Sequence, residues 1–385
     1  MTFAMFVLSG IFLMIAAHPF VTYPVTLYFV RPWMRHAVPA AASPATVPRQ
    51  SYAICLCAYN EEAVIAQKAE NLIALKEALP GLEILVYVDA GTDRTADILK
   101  LYADEIQVYV SPYRYGKTHG MNLLVSKTKA SVIIFTDANV MMDVESLRRL
   151  PKYFADPQIG CVCGHLKYLN GEETTTAKTG SLYWRLEESI KRLESDTGSA
   201  MGADGAIFAI RRALHHPPPD DIIDDMFVSF SILCDGYRVV RAQDIIAYEK
   251  SATSPREEYR RKIRIACQAF NVHRLLWPRL RNLGTFDLYK YLSHKFIRWF
   301  IIYWLALAAL FFETGMIMAG AGLIGLAVMA LGFGLLYMAT LRPLAIFSQL
   351  ADILGAFAAT GFGVWRSVLG EHFQTWSPAS STRGA

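Results

Sequence analysis

Charge is scarce in this chain. Asp, Glu, Lys and Arg together make up 19% of the 385 residues, and the net charge is only +4, with Lys and Arg scattered through the middle of the sequence. A nucleic-acid surface needs a concentrated basic patch, so nucleic acid is excluded as the main partner. Cysteine is also sparse. There are six, and the pairs Cys55/Cys57 and Cys161/Cys163 lack the spacing and further ligands of a zinc site. Two residues apart inside an apolar run, each pair falls on one face of a strand, as buried, reduced thiols of a cytoplasmic domain do. Glycine-built nucleotide motifs are missing too. "YGKTHG" ends like a P-loop, but the first glycine of that motif would fall on Ser111, and no G-x-G-x-x-G follows the first strand. A nucleotide site here has to be of another kind.

What the chain has in plenty is apolar surface: 53% of it is hydrophobic, high for a soluble protein. Residues 3–30 hold no acid or base except His18 and are long enough to cross a hydrocarbon core of about 30 Å. They lack the basic start of a signal peptide and exceed its apolar region of roughly 7–15 residues, which favours an anchor, residues 1–36, over a cleaved leader. Arg31, Arg35 and His36 follow, then a Pro/Ala-rich linker over 37–50, so the positive-inside rule puts the next domain, 51–278, in the cytoplasm. Residues 279–343 read as an interfacial helix and a transmembrane hairpin turning near Glu313–Gly315, its flanks marked by Lys295, Arg298 and Arg342. Gln349, Asp352 and Arg366 interrupt the last run, so 344–385 reads as a helix lying in the interface, with a fourth span as the alternative, and a tail. These features describe a multi-pass protein of the inner (plasma) membrane, with membrane lipids among its partners.

Between 51 and 166, short apolar runs alternate with longer mixed segments, the pattern of βα units around a mostly parallel sheet. Strands are expected at 52–59, 83–89, 106–110, 131–137 and 160–166, and helices at 61–79, 93–103, 117–129 and 143–154. In such a sheet ligands bind outside the carboxyl ends of the strands. The polar residues gather there: Tyr59-Asn60-Glu61-Glu62, Asp89-Ala90-Gly91-Thr92-Asp93, Arg114-Tyr115-Gly116-Lys117 and Asp137-Ala138-Asn139.

In this order and at these spacings the motifs over about 52–275 resemble the inverting glycosyltransferases of family 2, the group that contains cellulose and hyaluronan synthases. The resemblance implies an α/β fold of GT-A type flanked by transmembrane helices. It assigns Tyr59, Asn60, Glu61 and Asp89 to the nucleotide, Lys117 to its diphosphate, and Asp137 to a divalent metal, Mg²⁺ or Mn²⁺, shared with the donor. The family pattern after the second strand is Asp-Gly-Ser-Thr-Asp, from which Ala90 and Gly91 depart without losing an acid. Asn139 stands where the family's metal motif has a second acid. A hard cation that keeps several waters needs few protein oxygens, so Asn139 predicts weaker metal affinity, not loss of metal dependence.

In "PDDIIDDMFVSFSILCDGYRV" (219–239) an acidic pair opens a helix, and Asp225 falls in the place of the general base, eleven residues before a Gly-Tyr pair. Acids at a helix N-terminus also stabilise it through the dipole. The segments 181–195 and 198–212 resemble parts of the acceptor side, which makes Glu187, Asp204 and Arg211 acceptor candidates, joined by Arg261 of the next segment. Where processive synthases carry Gln-x-x-Arg-Trp, this chain reads Arg261, Lys262, Ile263, Arg264, Ile265. Arg264 keeps the charge for the diphosphate, while the missing Gln and Trp speak against long-chain synthesis. The expected activity is therefore transfer of a sugar from a nucleoside-diphosphate sugar, by resemblance a uridine one, to a lipid-linked or polysaccharide acceptor in envelope or exopolysaccharide assembly. The alternatives are a short processive synthase, a membrane-anchored nucleotidyltransferase, which would release pyrophosphate and leave Asp225 without a task, and an inactive membrane scaffold, which would need none of Asp89, Lys117, Asp137 and Asp225.

Overall fold

The computed structural model of the chain describes residues 1–34, 50–169, 175–250, 255–341 and 345–376, and side chains for all of these except 175–183, 255, 336, 339–341 and 345–347. The expected linker lies, apart from Gln50, outside the described residues, as do Arg35, His36 and Arg342.

Eight strands form one mixed sheet: β1 (Tyr52–Ala58), β2 (Glu83–Asp89), β3 (Gln107–Ser111), β4 (Val132–Asp137), β5 (Met141–Met142), β6 (Ile159–Tyr168), β7 (Ile207–Arg211) and β8 (Arg238–Glu249). Their spatial order is β3-β2-β1-β4-β7-β6-β8-β5. The pairs β1–β2, β1–β4, β2–β3 and β6–β8 are parallel, whereas β7 runs against both its neighbours and β5 against β8. The five strands expected from the apolar runs are present. The twelve-residue β8 carries no such signal, because Arg241, Gln243 and Asp244 break its alternation of apolar residues.

Successive residues of β1 feed two separate cores. Ile54, Leu56 and Ala58 pack on one face of the sheet with Val86 and Val88, and Cys55 and Cys57 on the other with Leu85, Tyr87 and Phe135. Cys161 and Cys163 share that second layer, and all six cysteines are free thiols. From β1 the chain steps outward to β2 and β3 on one side, then returns to lay β4 on the other side of β1, so the strand order reverses between β1 and β4 and a crevice opens at their carboxyl ends. Because β7 is antiparallel, it is the segment preceding it, Asp204–Ala206, that reaches this crevice.

The expected helices are present but shorter. The first spans Ile65–Ala74 and tightens into a 3₁₀ turn at Leu75–Glu77, and the third starts at Lys117. The run 143–154 is two short helices, Val144–Leu147 and Leu150–Tyr153. Pro151 causes the break: lacking an N–H, it is accommodated only in a first helical turn.

The flanking apolar segments depart from expectation in two places. The 3–30 run is not one straight span but two helices, Thr2–Ala17 and Thr22–Met34, bent by 58°. The His18 ring fixes the bend, bonding Thr22 Oγ1 at 2.6 Å and Ser293 Oγ at 2.9 Å. The first helix packs along Ile301–Met318, where Ser9 Oγ donates to the Ala308 carbonyl at 2.8 Å and Phe12 stacks on Phe311. The second lies against the helix Thr175–Asp196 that follows β6, with Arg31 2.8 Å from Asp196. The hairpin turn also sits later than Glu313–Gly315, which is helical. The first arm ends where Gly320 adopts φ +77, the left-handed conformation that closes a helix, and Gly322–Leu341 follows.

Among the described residues, Ile301–Met318 is one helix long and apolar enough to cross a membrane, and the bent N-terminal pair makes a second if it counts as one span. Large apolar side chains stand exposed around them, among them Phe29, Trp33, Leu323 and Phe333. Ala345–Val368 packs against the long helix Pro255–Leu280, close enough that a Cβ on Gly363 would lie 2.5 Å from the Ile263 carbonyl oxygen.

Candidate active site

The crevice at the ends of β1, β2 and β4 collects the residues expected for a donor. At its centre is Lys117, the first residue of its helix. Its ammonium lies 2.8 Å from Asp137 Oδ1 at the end of β4 and 3.7 Å from Asp224 Oδ2. Burial alone would lower its pKa, but Asp137, Asp224 and Asp225 outweigh that and hold it charged, above the usual lysine range.

Asp224 and Asp225 open the helix Asp224–Cys234, as the sequence predicted. Asp224 is buried, and its Oδ2 makes no hydrogen bond with the described residues. Asp225 accepts the Met226 N–H at 2.6 Å through Oδ1. Burial pushes its carboxyl up to about 7, with the Asp224 charge adding to the push and Lys117 opposing it. Gly205 lets these groups meet: a Cβ there would lie 3.0 Å from Asp225 Oδ2 and 3.4 Å from Lys117 Nζ.

On the nucleotide side, Asn60 takes a left-handed conformation (φ 51) and ties the first strand end to the second, accepting Thr92 N–H at 2.8 Å and donating to Thr92 Oγ1 at 3.1 Å. Glu61 is buried, its N–H donating to Thr95 Oγ1. Asp89 is fully buried, and its carboxylate accepts the Tyr115 and Gly116 N–H groups at 2.8 and 3.1 Å, with Arg114 at 3.6 Å. It thereby holds the loop that carries Lys117. The Arg114 guanidinium stacks 3.4 Å from the Tyr59 ring centroid, and Trp376 meets the same ring edge-on.

Trp376 belongs to a strap, Glu371–Trp376, that crosses this end of the site. Arg114 donates to the Trp376 carbonyl at 2.5 Å, Gln374 to the Tyr115 carbonyl at 3.0 Å, and Gln268 of the long helix to the Phe373 carbonyl at 2.8 Å. Gly116 (φ +94) is passed so closely that a Cβ would lie 2.1 Å from the Gln374 oxygen. Nothing local in the sequence marks this strap.

Asn139 donates its amide to Glu249 Oε1 at 2.8 Å, so a strand end from the far side of the sheet reaches the metal motif. Asp137 is 38% exposed, open to a further ligand. Among the described residues, no three His, Cys, Asp or Glu form a group able to hold a metal. The residues present are one accessible carboxylate, an amide whose nitrogen is engaged and whose oxygen is the atom a cation takes, and a nearby second carboxylate. This donor set fits a hard cation held chiefly by phosphate oxygens and water.

Other candidates lie elsewhere. Arg211 is at the opposite edge of the sheet, paired with Val132 at the start of β4, because β7 runs antiparallel. There it binds the carbonyls of Phe154, Asp156 and Ile159, which corrects its acceptor assignment. Glu187 is buried between His294 (2.9 Å) and Arg298 (2.5 Å), joining the catalytic domain to the helices that follow it. Asp204 is held by Lys191 and by Arg241 at 3.3 Å, near enough to Asp225 to be felt by it. Arg261 pairs with Glu258 at 3.2 Å and feels Glu249. Arg264, one turn further, feels the charges of Asp137 and Asp225.

An α/β sheet with acids and a lysine at its switch point is the GT-A arrangement, and the backbone agrees. Mannosyltransferase PcManGT from Pyrobaculum calidifontis, solved with GDP-Man and Mn²⁺, superimposes with a TM-score of 0.71 over 94% of this chain and 99% of that one, at 19% identity. Residues 53–216 match the glycosyl transferase family 2 model. The chain is similar to an N-acetylglucosaminyltransferase of Rhizobium meliloti, 23% identical over 64% of this chain and 62% of the relative. It is also similar to the O-antigen chain rhamnosyltransferase RfbN of Salmonella typhimurium, 24% identical over 49% of this chain and 64% of the relative. The chain thus spans less than two thirds of either relative's length.

Proposed function

We propose that the protein is a membrane-bound inverting glycosyltransferase that moves one sugar, or a few, from a nucleoside-diphosphate sugar to a lipid-linked or polysaccharide acceptor. The observation that carries this is the meeting of Asp225, its carboxyl raised to about 7, with Lys117 and Asp137 across Gly205. Inversion needs one base for the acceptor hydroxyl and positive charge for the departing diphosphate. Asp225 is the base. Above its pKa it takes the hydroxyl proton as the sugar's bond to the donor loosens, and no covalent intermediate is needed. Lys117 and Arg264 face the diphosphate, and Tyr59, Asn60 and the loop anchored by Asp89 frame the base and ribose. A divalent cation, held by Asp137 with the Asn139 amide oxygen, supplies further charge to the diphosphate oxygens when bound.

The exposed apolar helices 2–17, 301–318 and 322–335 support a membrane anchor, and the basic residues Arg31, Arg35, Lys295 and Arg298 beside them in the sequence favour the sheet on its cytoplasmic side, where a lipid-linked acceptor is within reach. One spanning helix among the described residues, or two with the bent N-terminal pair, is few for a polymer channel, which favours limited transfer over processive synthesis. The test is purified protein in lipid offered a panel of sugar nucleotides with Mg²⁺ or Mn²⁺. A nucleoside diphosphate should appear together with a glycosylated lipid or glycan. Pyrophosphate release would support the nucleotidyltransferase reading, and no product from any donor the scaffold.

A further inference from the structure

Lys68 lies on the buried side of the helix Ile65–Ala74, among Ile65, Ala69 and Leu72, with no exposed surface. An ammonium in that position is costly unless its hydrogens are used. Lys68 donates to Thr136 Oγ1 at 3.2 Å and to the Val140 carbonyl at 2.5 Å. These two acceptors stand on either side of Asp137-Ala138-Asn139, so one side chain grips both shoulders of the acidic turn from beneath. Thr136 passes the link on, donating to the Ala206 carbonyl at 3.0 Å, next to the glycine that packs on Asp225 and Lys117. One turn along the same helix, Asn71 binds both the N–H and the carbonyl of Met142, at 3.0 and 2.9 Å, and anchors the chain where it leaves the turn.

We propose that Lys68 is a positioning residue that fixes the Asp137–Asn139 turn for its divalent cation. The inference rests on the metal reading given above. Its sign is informative. By charge alone, any positive charge on Lys68 beneath the turn would repel a metal, so deleting it would tighten binding. By position, deleting it loosens the turn and weakens binding. The two hydrogen bonds that bracket the turn favour position.

The experiment is titration of the full chain in lipid with Mn²⁺ in the presence of a nucleoside diphosphate, following free Mn²⁺ by electron paramagnetic resonance and the melting temperature in parallel. Lys68→Met should weaken Mn²⁺ binding about tenfold, the scale of losing a group that orients a ligand. Lys68→Gln, which keeps an N–H donor without the charge, should recover most of it. Should the Met variant fail to fold, Thr136→Val removes one shoulder of the grip and should weaken binding in the same direction. Binding unchanged or tighter in a folded Lys68→Met, or unchanged in Thr136→Val, overturns the inference and leaves the metal reading standing. A wild type that takes up no Mn²⁺ overturns both.

Discussion

The molecule holds two groups of buried charge, and they are built on opposite principles. Around Glu187 and Glu194 every acid has matched partners: Tyr23 and His294 bond Glu194, while His294, Arg298 and Lys191 surround Glu187. Burial there tends to raise both carboxyls, yet the neighbouring bases hold them below the usual range, Glu187 well below it. Around Lys117, three acids share one close lysine, one oxygen of Asp224 has no hydrogen bond among the described residues, and Asp225 is pushed up. The first group is balanced and joins two parts of the molecule. The second is short of positive charge, a balance that a divalent cation would redress under the proposed mechanism. An acid count does not separate them; their partners do.

The comparison breaks most sharply under substitution. Asp225→Asn should lower transfer by roughly a thousandfold, the scale of a lost general base, with donor binding and melting temperature nearly intact. Wild-type turnover in that variant would remove Asp225 from the mechanism. Glu187→Ala should do the reverse, costing about 3 kcal/mol of stability by leaving buried bases uncompensated while the folded fraction stays active. Denaturant unfolding set beside specific activity checks this.

Smaller effects sharpen the picture. With Asp225 needed as carboxylate, activity should rise with pH through about 7. Asp224→Asn removes a charge that raises Asp225, so that limb should move to lower pH, and an unmoved profile would mean Asp224 does not act on the base. Asn139→Asp sets a carboxylate against Glu249, so the melting temperature should fall without metal and recover with Mn²⁺ more than the wild type's rises. The least effect belongs to Ala90, which holds φ 51 where the family pattern has glycine. Ala90→Gly should stabilise by about 1 kcal/mol in thermal unfolding.

How much of this was legible in the sequence follows from how local each feature is. The strand ends that carry Asp89 and Asp137 read directly, since an apolar run stops at an acid at each, and Lys117 reads as the start of the helix expected at 117. The acidic helix start at Asp224–Asp225 read equally well. Arg211 misled because direction within a sheet is not a local property: β7's reversal carries its far end away from the crevice. Glu187 misled because its compensating bases lie about a hundred residues away. Glu249 and Trp376 arrive through long-range pairing and carry no signal of their own. Lys68 was recoverable, because a lone lysine in register with Ile65, Ala69 and Leu72 on one helical face asks for a buried acceptor.

The strap from Glu371 to Trp376 makes the two banks of the cleft into a closed loop. Tyr59 and Arg114 on the nucleotide bank are fastened through Trp376 and Phe373 to Gln268, on the same helix as Arg264. Like the buckle of a belt, it sets the width of what lies between, so the span open to a sugar diphosphate depends on residues far along the chain from those that hold it.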